Sequence, residues 1–305
     1  MYTYNINQWA LFFYLYSLLG WIWESSYVSI KSMKVVNRGF LHGPFLPLYG
    51  SGAIVVLFVT MPIRDNIILV FLLGMIAATI LEYLTGYIME KIFRVRYWDY
   101  SDNLFNINGY ICLQCSLAWG FFSVLMIRFI HPPIEKIVFF IPKYITIIIL
   151  IFVNIGIIVD FIISFCEAMN LKEVLINVTE NNRNINRLQK RLEVIYAFIE
   201  EDRKELRIKL NRNNDDMKNM VLDRLNFYEK ILDDKFEKHQ EKTQKYKNEI
   251  NDVKEKFKNH IIHIHSIKGK KVNRSIHMLK RNPGATTKKY SDALDEIKNL
   301  YKDKK

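Results

Sequence analysis

Long apolar runs alternate with short polar breaks over the first 170 residues of this 305-residue chain, and then the pattern changes. Five apolar segments stand out, at about residues 8–30, 43–61, 66–90, 107–130 and 144–166. A helix that crosses a bilayer needs about 20 mostly apolar residues. The fifth run, YITIIILIFVNIGIIVDFIISFC, meets that without interruption, and the third, NIILVFLLGMIAATILEYLTGYIME, nearly so. The second opens with GPFLPLYGSG and the fourth with NINGYICLQC, so both enter irregularly. Irregular backbone at membrane depth survives only when buried in protein or lining a wet cavity. The pattern predicts an all-α fold: a polytopic helical membrane bundle of about five spans over residues 1–170.

From residue 171 the periodicity is that of amphipathic helices. Ile185, Leu188, Leu192, Ile195 and Ile199 keep a 3-4-3-4 spacing, the seam of a coiled coil. Asp202 and Lys209 interrupt it. Later series run Val221, Leu225, Tyr228, Leu232, Phe236 and Tyr246, Ile250, Val253, Phe257, Ile261. Residues 171–265 therefore read as a helical, partly coiled-coil tail, through which a homo-oligomer could form. Residues 266–305 form a strongly basic end, in which Pro283-Gly284 breaks one helix and Ser291 opens another. That end reads as a solvated face, with contact to anionic lipid heads as the alternative.

Charge divides at the same place. Residues 1–170 carry 10 Lys/Arg and 9 Asp/Glu, whereas residues 171–305 carry 33 and 22. The distribution of Lys and Arg among short loops gives orientation. Lys31, Lys34, Arg38, Lys91, Arg94, Arg96, Lys172, Arg183 and Arg187 fall on one side, against Arg64, Arg128, Lys136 and Lys143 on the other. This places the amino terminus outside and the tail in the cytoplasm of a cell-membrane protein. The first charged side chain is Glu24, so the basic region of a signal peptide is missing.

Within the spans a few acids break the apolar pattern. Glu24 and Glu82 each lie 16 residues into their segments, and Asp160 lies 17 after Lys143. At 1.5 Å per residue, all three fall roughly 25 Å from the outer end, in one layer. Each shares a helix face with small residues: Gly20 and Ser17 with Glu24, Gly86 and Thr79 with Glu82, Gly156 and Ser164 with Asp160. Small residues let membrane helices approach closely, so these acids should face protein. Arg38, His42, Arg94 and Arg96, on the facing loops, are the expected counter-charges for Glu24, Glu82 and Glu90. Asp160 has no basic neighbour in sequence. With Asp99 in the second loop, the candidate polar layer is Glu24, Arg38, His42, Glu82, Glu90, Asp99 and Asp160. It is read either as a substrate or ion site or as pairing that pins the bundle. Trp9, Trp21, Trp23 and Trp98 read as interfacial anchors or packing.

Other chemistry finds little support. Cys112 and Cys115 have CxxC spacing without a βαβ context, so they read as helix packing. His260, His263 and His265 scatter around a helix, which disfavours a metal site. No metal motif or Ser/His pair has usable spacing, so neither an enzyme nor a cofactor is expected. Nucleic acid is not an expected partner either, because the basic tail carries no such fold motif and is tethered to a membrane.

The stretches GWIWES, NRGFLHGPFLPLYGSGA, LEYLTGYIMEK, RYWDYSDNLFNINGYICLQCSLAWG and MLKRNPGATTKKYSDALDEIK resemble the bacterial Putative ABC-transporter type IV family of permease-like membrane proteins. Its motif positions here are Glu24, Asn37, Arg38, Gly39, Gly43, Pro44, Gly50, Glu82, Gly86, Glu90, Trp98, Asp99, Tyr100, Ser101, Asn106, Gly109 and Trp119. The resemblance implies transport of a small solute or lipid, but brings no substrate or site. The chain holds no GxxxxGK[ST] phosphate loop, and Lys268-Gly269-Lys270 lacks the upstream glycine. ATP-driven transport would therefore require a separate ATP-binding subunit. The other reading is a non-transporting scaffold or sensor whose tail recruits partners.

Overall fold

The computed structural model describes residues 4–199, 248, 251–252, 254–255 and 270–302. The chain divides into two compact units, one of Met1–Glu173 with Lys271–Lys305 and the other of Val174–Lys270. Among the described residues the architecture is all helical, with no strand and two isolated β-bridges.

Helix α1 spans Ile6–Ser32, α2 Pro47–Thr60, α3 Ile67–Phe93, α4 Leu113–Leu125, α5 His131–Phe140 and α6 Lys143–Ile199. Two further helices, α7 (Lys270–Arg281) and α8 (Ser291–Lys302), lie near the carboxyl end. A π-helical stretch, Met126–Ile130, joins α4 to α5, so the fourth apolar run is one helix from Leu113 to Phe140. That helix starts six residues later than the apolar run and continues ten residues beyond it. Cys112 explains the start, because its extended backbone and sulfur cap the amide of Cys115.

Three helices are long and apolar enough to cross a membrane: Ile67–Phe93, Leu113–Phe140 and Lys143–Glu180. A shorter apolar helix covers Pro47–Ile63. Their apolar side chains point outwards. Ile148, Ile151, Phe152, Ile155 and Ile158 on α6 are all more than half exposed. Such a surface is unstable in water and stable against lipid tails. The protein is thus a helical membrane protein.

Sequence signals set the helix ends. Asn5 and Gln8 form a reciprocal capping box at the start of α1, and Asn66 caps α3 by accepting from Ile68 and Leu69. Met33 and Arg94 close α1 and α3 in the left-handed conformation. The chain before α2 is irregular, as its prolines and glycines imply, and it is partly buried: Gly39, Leu41 and Leu46 are covered, whereas Pro44 is exposed. Leu41 is fully buried, and the Leu46 amide donates to the Ser17 carbonyl at 3.0 Å.

In order around the bundle, α1 packs on α2, α2 on α3 and α3 on α4. Close approach of α1 and α2 depends on glycine. A Cβ on Gly50 would lie 2.1 Å from Ser17 Oγ and 2.6 Å from the Phe13 carbonyl, and one on Gly20 would strike Tyr49. Phe12, Val56, Leu57 and Val70 form the centre of the core. At one end Tyr4 and Tyr16 hydrogen-bond the two nitrogens of buried His131, at 3.0 and 2.9 Å.

The carboxyl-terminal segment is folded onto the loops of its own unit, with lysines such as Lys280, Lys288 and Lys289 left exposed. Met278, Ala285, Ala293, Leu294 and Ile297, on α7, α8 and the turn between them, are buried. The cationic sequence hid this, because the apolar residues recur at helical spacing among many lysines. The seam residues 185–199 lie on α6. The later heptad series, residues 202 and 209, and the three histidines lie outside the described residues.

Candidate functional site

The loops that follow α1 (residues 33–46) and α3 (residues 94–112) meet at one end of the bundle. Each acid of the expected layer is held from there, but not always by the expected partner. Glu24 accepts from Arg38 Nε at 3.4 Å and from the Tyr49 hydroxyl at 2.8 Å. Glu90, in the last turn of α3, accepts from Arg96 Nε at 2.6 Å and from the Tyr110 hydroxyl at 2.6 Å. Arg96 lies over the Tyr110 ring, 4.8 Å from its centroid. Burial and the bonded Glu90 carboxylate push the Tyr110 hydroxyl up to about 12.

Asp160 has a full set of donors that its sequence neighbourhood does not announce. The amides of His42 and Gly43 reach its two oxygens at 2.9 and 2.7 Å, and His42 Nδ1 lies 2.9 Å away. The other imidazole nitrogen faces Glu167 at 3.2 Å. The small-residue face holds only partly: Ser164 is fully buried, whereas nothing lies within 4 Å of a Cβ built on Gly156. Gly156 lies a full turn nearer the far end of the span than Asp160, beyond the reach of the loop that covers the acid.

Glu82 departs furthest from expectation, because no arginine reaches it among the described residues. It is 5% exposed, and its oxygens accept from the Trp119 indole at 2.9 Å and the Tyr100 hydroxyl at 3.2 Å. Arg38 and Arg96 are committed to Glu24 and Glu90. Arg94 is exposed; its amide donates to the Glu90 carbonyl and its carbonyl accepts from Thr287.

Beside Glu82 is a cavity of about 570 Å³. This falls within the few hundred to a thousand Å³ of small-ligand sites. Its walls come from Tyr16, Leu19, Gly20 and Trp23 of α1, Tyr49, Gly52, Ala53 and Val56 of α2, and Cys115 to Leu125 of α4, ending at Met126 and Ile130. Glu82 and Tyr100 also line it. No Lys, Arg or His lines it. Leu19, Trp23, Phe122 and Leu125 are more than 40% exposed, so the opening lies between α1 and α4. Trp23 and Phe122 meet edge-to-face across that opening, with centroids 6.2 Å apart.

The two carboxylates belong to one connected wall. Arg38 bonds Glu24, Glu24 accepts from Tyr49, the Tyr49 ring lies 5.9 Å from Trp119, and Trp119 donates to Glu82. Tyr49, Tyr100 and Trp119 were not singled out as site residues from the sequence. A signal was present on α4, where Cys115, Trp119, Phe122 and Met126 recur at helical spacing on one face. The Cys112 and Cys115 thiols are in contact at 2.7 Å at the start of α4, and Cys115 reaches the cavity wall.

The carboxyl-terminal turn completes the loop-rich end. Arg38 Nη1 donates to Asn282 Oδ1 at 2.7 Å, and Asn282 Nδ2 donates to the Gly39 carbonyl at 3.0 Å. Arg281 Nη2 donates to Glu167 at 2.8 Å. Arg96 and Thr286 exchange both backbone hydrogen bonds, at 2.7 and 2.9 Å. The Thr286 hydroxyl donates to Asp99 at 2.8 Å. Burial alone would raise the Asp99 pKa. The Ser101 and Thr286 hydroxyls, the Ser101 amide and Arg96 outweigh it and hold Asp99 below the usual range. Gly109 is required here: its φ is +76°, and a Cβ would fall within 2.7 Å of Ser101, Arg96 and Asp99.

The expected polar layer therefore separates into a docked loop-and-tail assembly around Arg38, His42, Glu90, Asp99 and Asp160, and a cavity wall around Glu82, with Glu24 joining the two. No curated protein and no solved structure matches the chain. The model of the Putative ABC-transporter type IV family matches residues 11–165, half of the chain, and the protein belongs to that family.

Proposed function

We propose that the protein is a permease-like subunit of the cell membrane that binds and moves a small, largely apolar solute or lipid through the cavity between α1 and α4. The observation that carries this is a sizeable apolar cavity, open between two helices, with one buried acidic side chain, Glu82, in its wall. Buried ionisable groups in membrane helices commonly mark a substrate path. In this reading α1 and the Pro47–Ile63 segment join the three long apolar helices to make five spans. Helix α1 is about 40 Å long at 27 residues, sufficient for a bilayer core. The amino terminus is outside and the basic tail cytoplasmic, following the excess of Lys and Arg in the loops after α1 and α3.

ATP hydrolysis, where it energises the movement, comes from a separate subunit. The chain's own turn at residues 282–287 occupies part of the loop-rich end, so such a subunit docks around that turn rather than on bare loops.

The test uses Gly52. A Cβ there meets only the Trp119 ring, at 3.7 Å, so Gly52→Leu fills the cavity without a backbone clash. The purified full chain is screened against a panel of apolar small molecules by thermal shift. Ligands that raise the apparent melting point of the wild type should lose their effect in Gly52→Leu, whose own melting point stays the same or rises. Equal shifts in both proteins would reject the cavity as the site.

A further inference from the structure

The cavity has a polarity along its length. From Cys115 to Ile130 its α4 wall extends about 22 Å at 1.5 Å per residue. Beyond Glu82, Tyr100 and Cys115 that wall is mostly apolar: Ala118, Trp119, Phe122, Leu125, Met126 and Ile130. The slot has one acidic side chain, Glu82, among largely apolar walls. A lipid-like chain fits its length, and its sideways opening lies among exposed apolar side chains that face the acyl region.

Charge selects the head group. Glu24 is paired with Arg38, whereas Glu82 is bonded only by neutral donors among the described residues. An anionic head would meet Glu82 with no lining cation to offset it. A neutral head would gain only hydrogen bonds whose acceptors already have donors. A cationic head would neutralise Glu82, and Tyr49, Tyr100 and Trp119, which also line the cavity, are the ring types that favour cations in dry sites.

We propose that the cavity takes a single-chain cationic amphiphile, with its ammonium head at Glu82, its chain lying along α4 towards Ile130, and its entry sideways between Trp23 and Phe122. The assignment rests on the cavity reading above and specifies its ligand. Trp23 and Phe122, in edge-to-face contact, bridge α1 and α4 at the mouth.

The experiment places the full chain in phosphatidylcholine nanodiscs and titrates three probes that differ only in the head. These are a dodecyltrimethylammonium brominated at mid-chain, level with Trp23 and Phe122, the matching dodecanol and the matching dodecanoate. Bromine quenches tryptophan by contact, and Trp23 and Trp119 line the slot. Saturable quenching by the ammonium probe should occur at a concentration about tenfold lower than for the alcohol, or more, with the carboxylate weakest. Glu82→Gln should reduce the preference for ammonium over alcohol to roughly twofold. Gly52→Leu should remove saturable quenching by every probe. Equal affinities for ammonium and alcohol in the wild type would overturn the head-group assignment and leave the cavity intact. Saturable quenching that persists in Gly52→Leu would overturn the cavity reading itself. The wild-type comparison stands alone should Glu82→Gln not fold.

Discussion

Arg38 holds several groups at once, which sets what its loss would do. Its guanidinium reaches Glu24 at 3.4 Å, Asn282 Oδ1 at 2.7 Å and the Tyr97 carbonyl at 3.1 Å. Its backbone amide donates to Ser25 Oγ. Arg38→Met keeps the volume and strands three acceptors, so it should destabilise by roughly 2–4 kcal/mol. Glu24→Gln keeps hydrogen-bonding capacity and should cost less, about 1 kcal/mol. Apparent melting points of the two variants in detergent give the order, and a larger drop for Glu24→Gln would contradict this role for Arg38. Asp99 gives a pH dependence of known sign. Its folded pKa is depressed, so its contribution is present above the ordinary value of 3.8 and lost as pH falls through the lower folded value. Melting points of wild type and Asp99→Asn should therefore differ at pH 6 and converge in strong acid. Pairing by residue type was legible in the sequence for Glu24 with Arg38. It was not legible for Glu82 or Asp160, because their partners come from loops and helices 18 to 118 residues away. The indole and hydroxyl donors on Glu82 carry no charge, so a search for counter-charges passes over them.

At the scale of helices, glycine has opposite meanings at different places. Gly50 and Gly20 let α1 and α2 approach, whereas Gly156 on α6 faces open space. Gly50→Ala should cost about 1–3 kcal/mol, because the Phe13 carbonyl cannot move without shifting its helix. Gly156→Ala should be neutral or stabilise by roughly 0.5–1 kcal/mol through helix propensity. A matched loss in both variants would mean that α6 buries that face. The apolar pattern located to within a few residues the third helix and the start of the fifth, which continues past residue 166 to Ile199, since lipid-facing helices are apolar around most of their circumference. It misplaced the fourth because two prolines, Pro132 and Pro133, lie in the first turn of α5. Proline in a first turn leaves no hydrogen bond unmade, and the preceding π-helical stretch carries the chain into it.

For the molecule as a whole, the least expected feature is that residues 271–302 belong to the same compact unit as the helices of residues 1–173. Their sequence reads as basic and solvated, and composition alone favours that reading. What overrides it is a short turn, Asn282 to Thr287, whose polar atoms match those left open by two loops. Asn282 bonds Arg38 and Gly39, Thr286 bonds Arg96 and Asp99, and Thr287 bonds the Arg94 carbonyl. The turn thus ties the loop after α1 to the loop after α3. Those loops carry Arg38, which holds Glu24, and Tyr100, which holds Glu82. Loosening the turn should therefore be felt at the cavity wall although no residue of the turn lines it. Asn282→Ala leaves Arg38 and the Gly39 carbonyl short of one partner each, with no change of charge. Hydrogen exchange on the full chain should show faster exchange at Arg96 and Thr286, whose amides pair with each other's carbonyls, and then at the loop amides of Tyr100 and Ser101. Exchange in the middle of α3 should stay unchanged, because its hydrogen bonds are internal to the helix. Acceleration confined to residues 270–302 would show that the turn rests on the loops without holding them. Acceleration extending to Tyr100 would make the carboxyl-terminal segment a structural part of the Glu82 site.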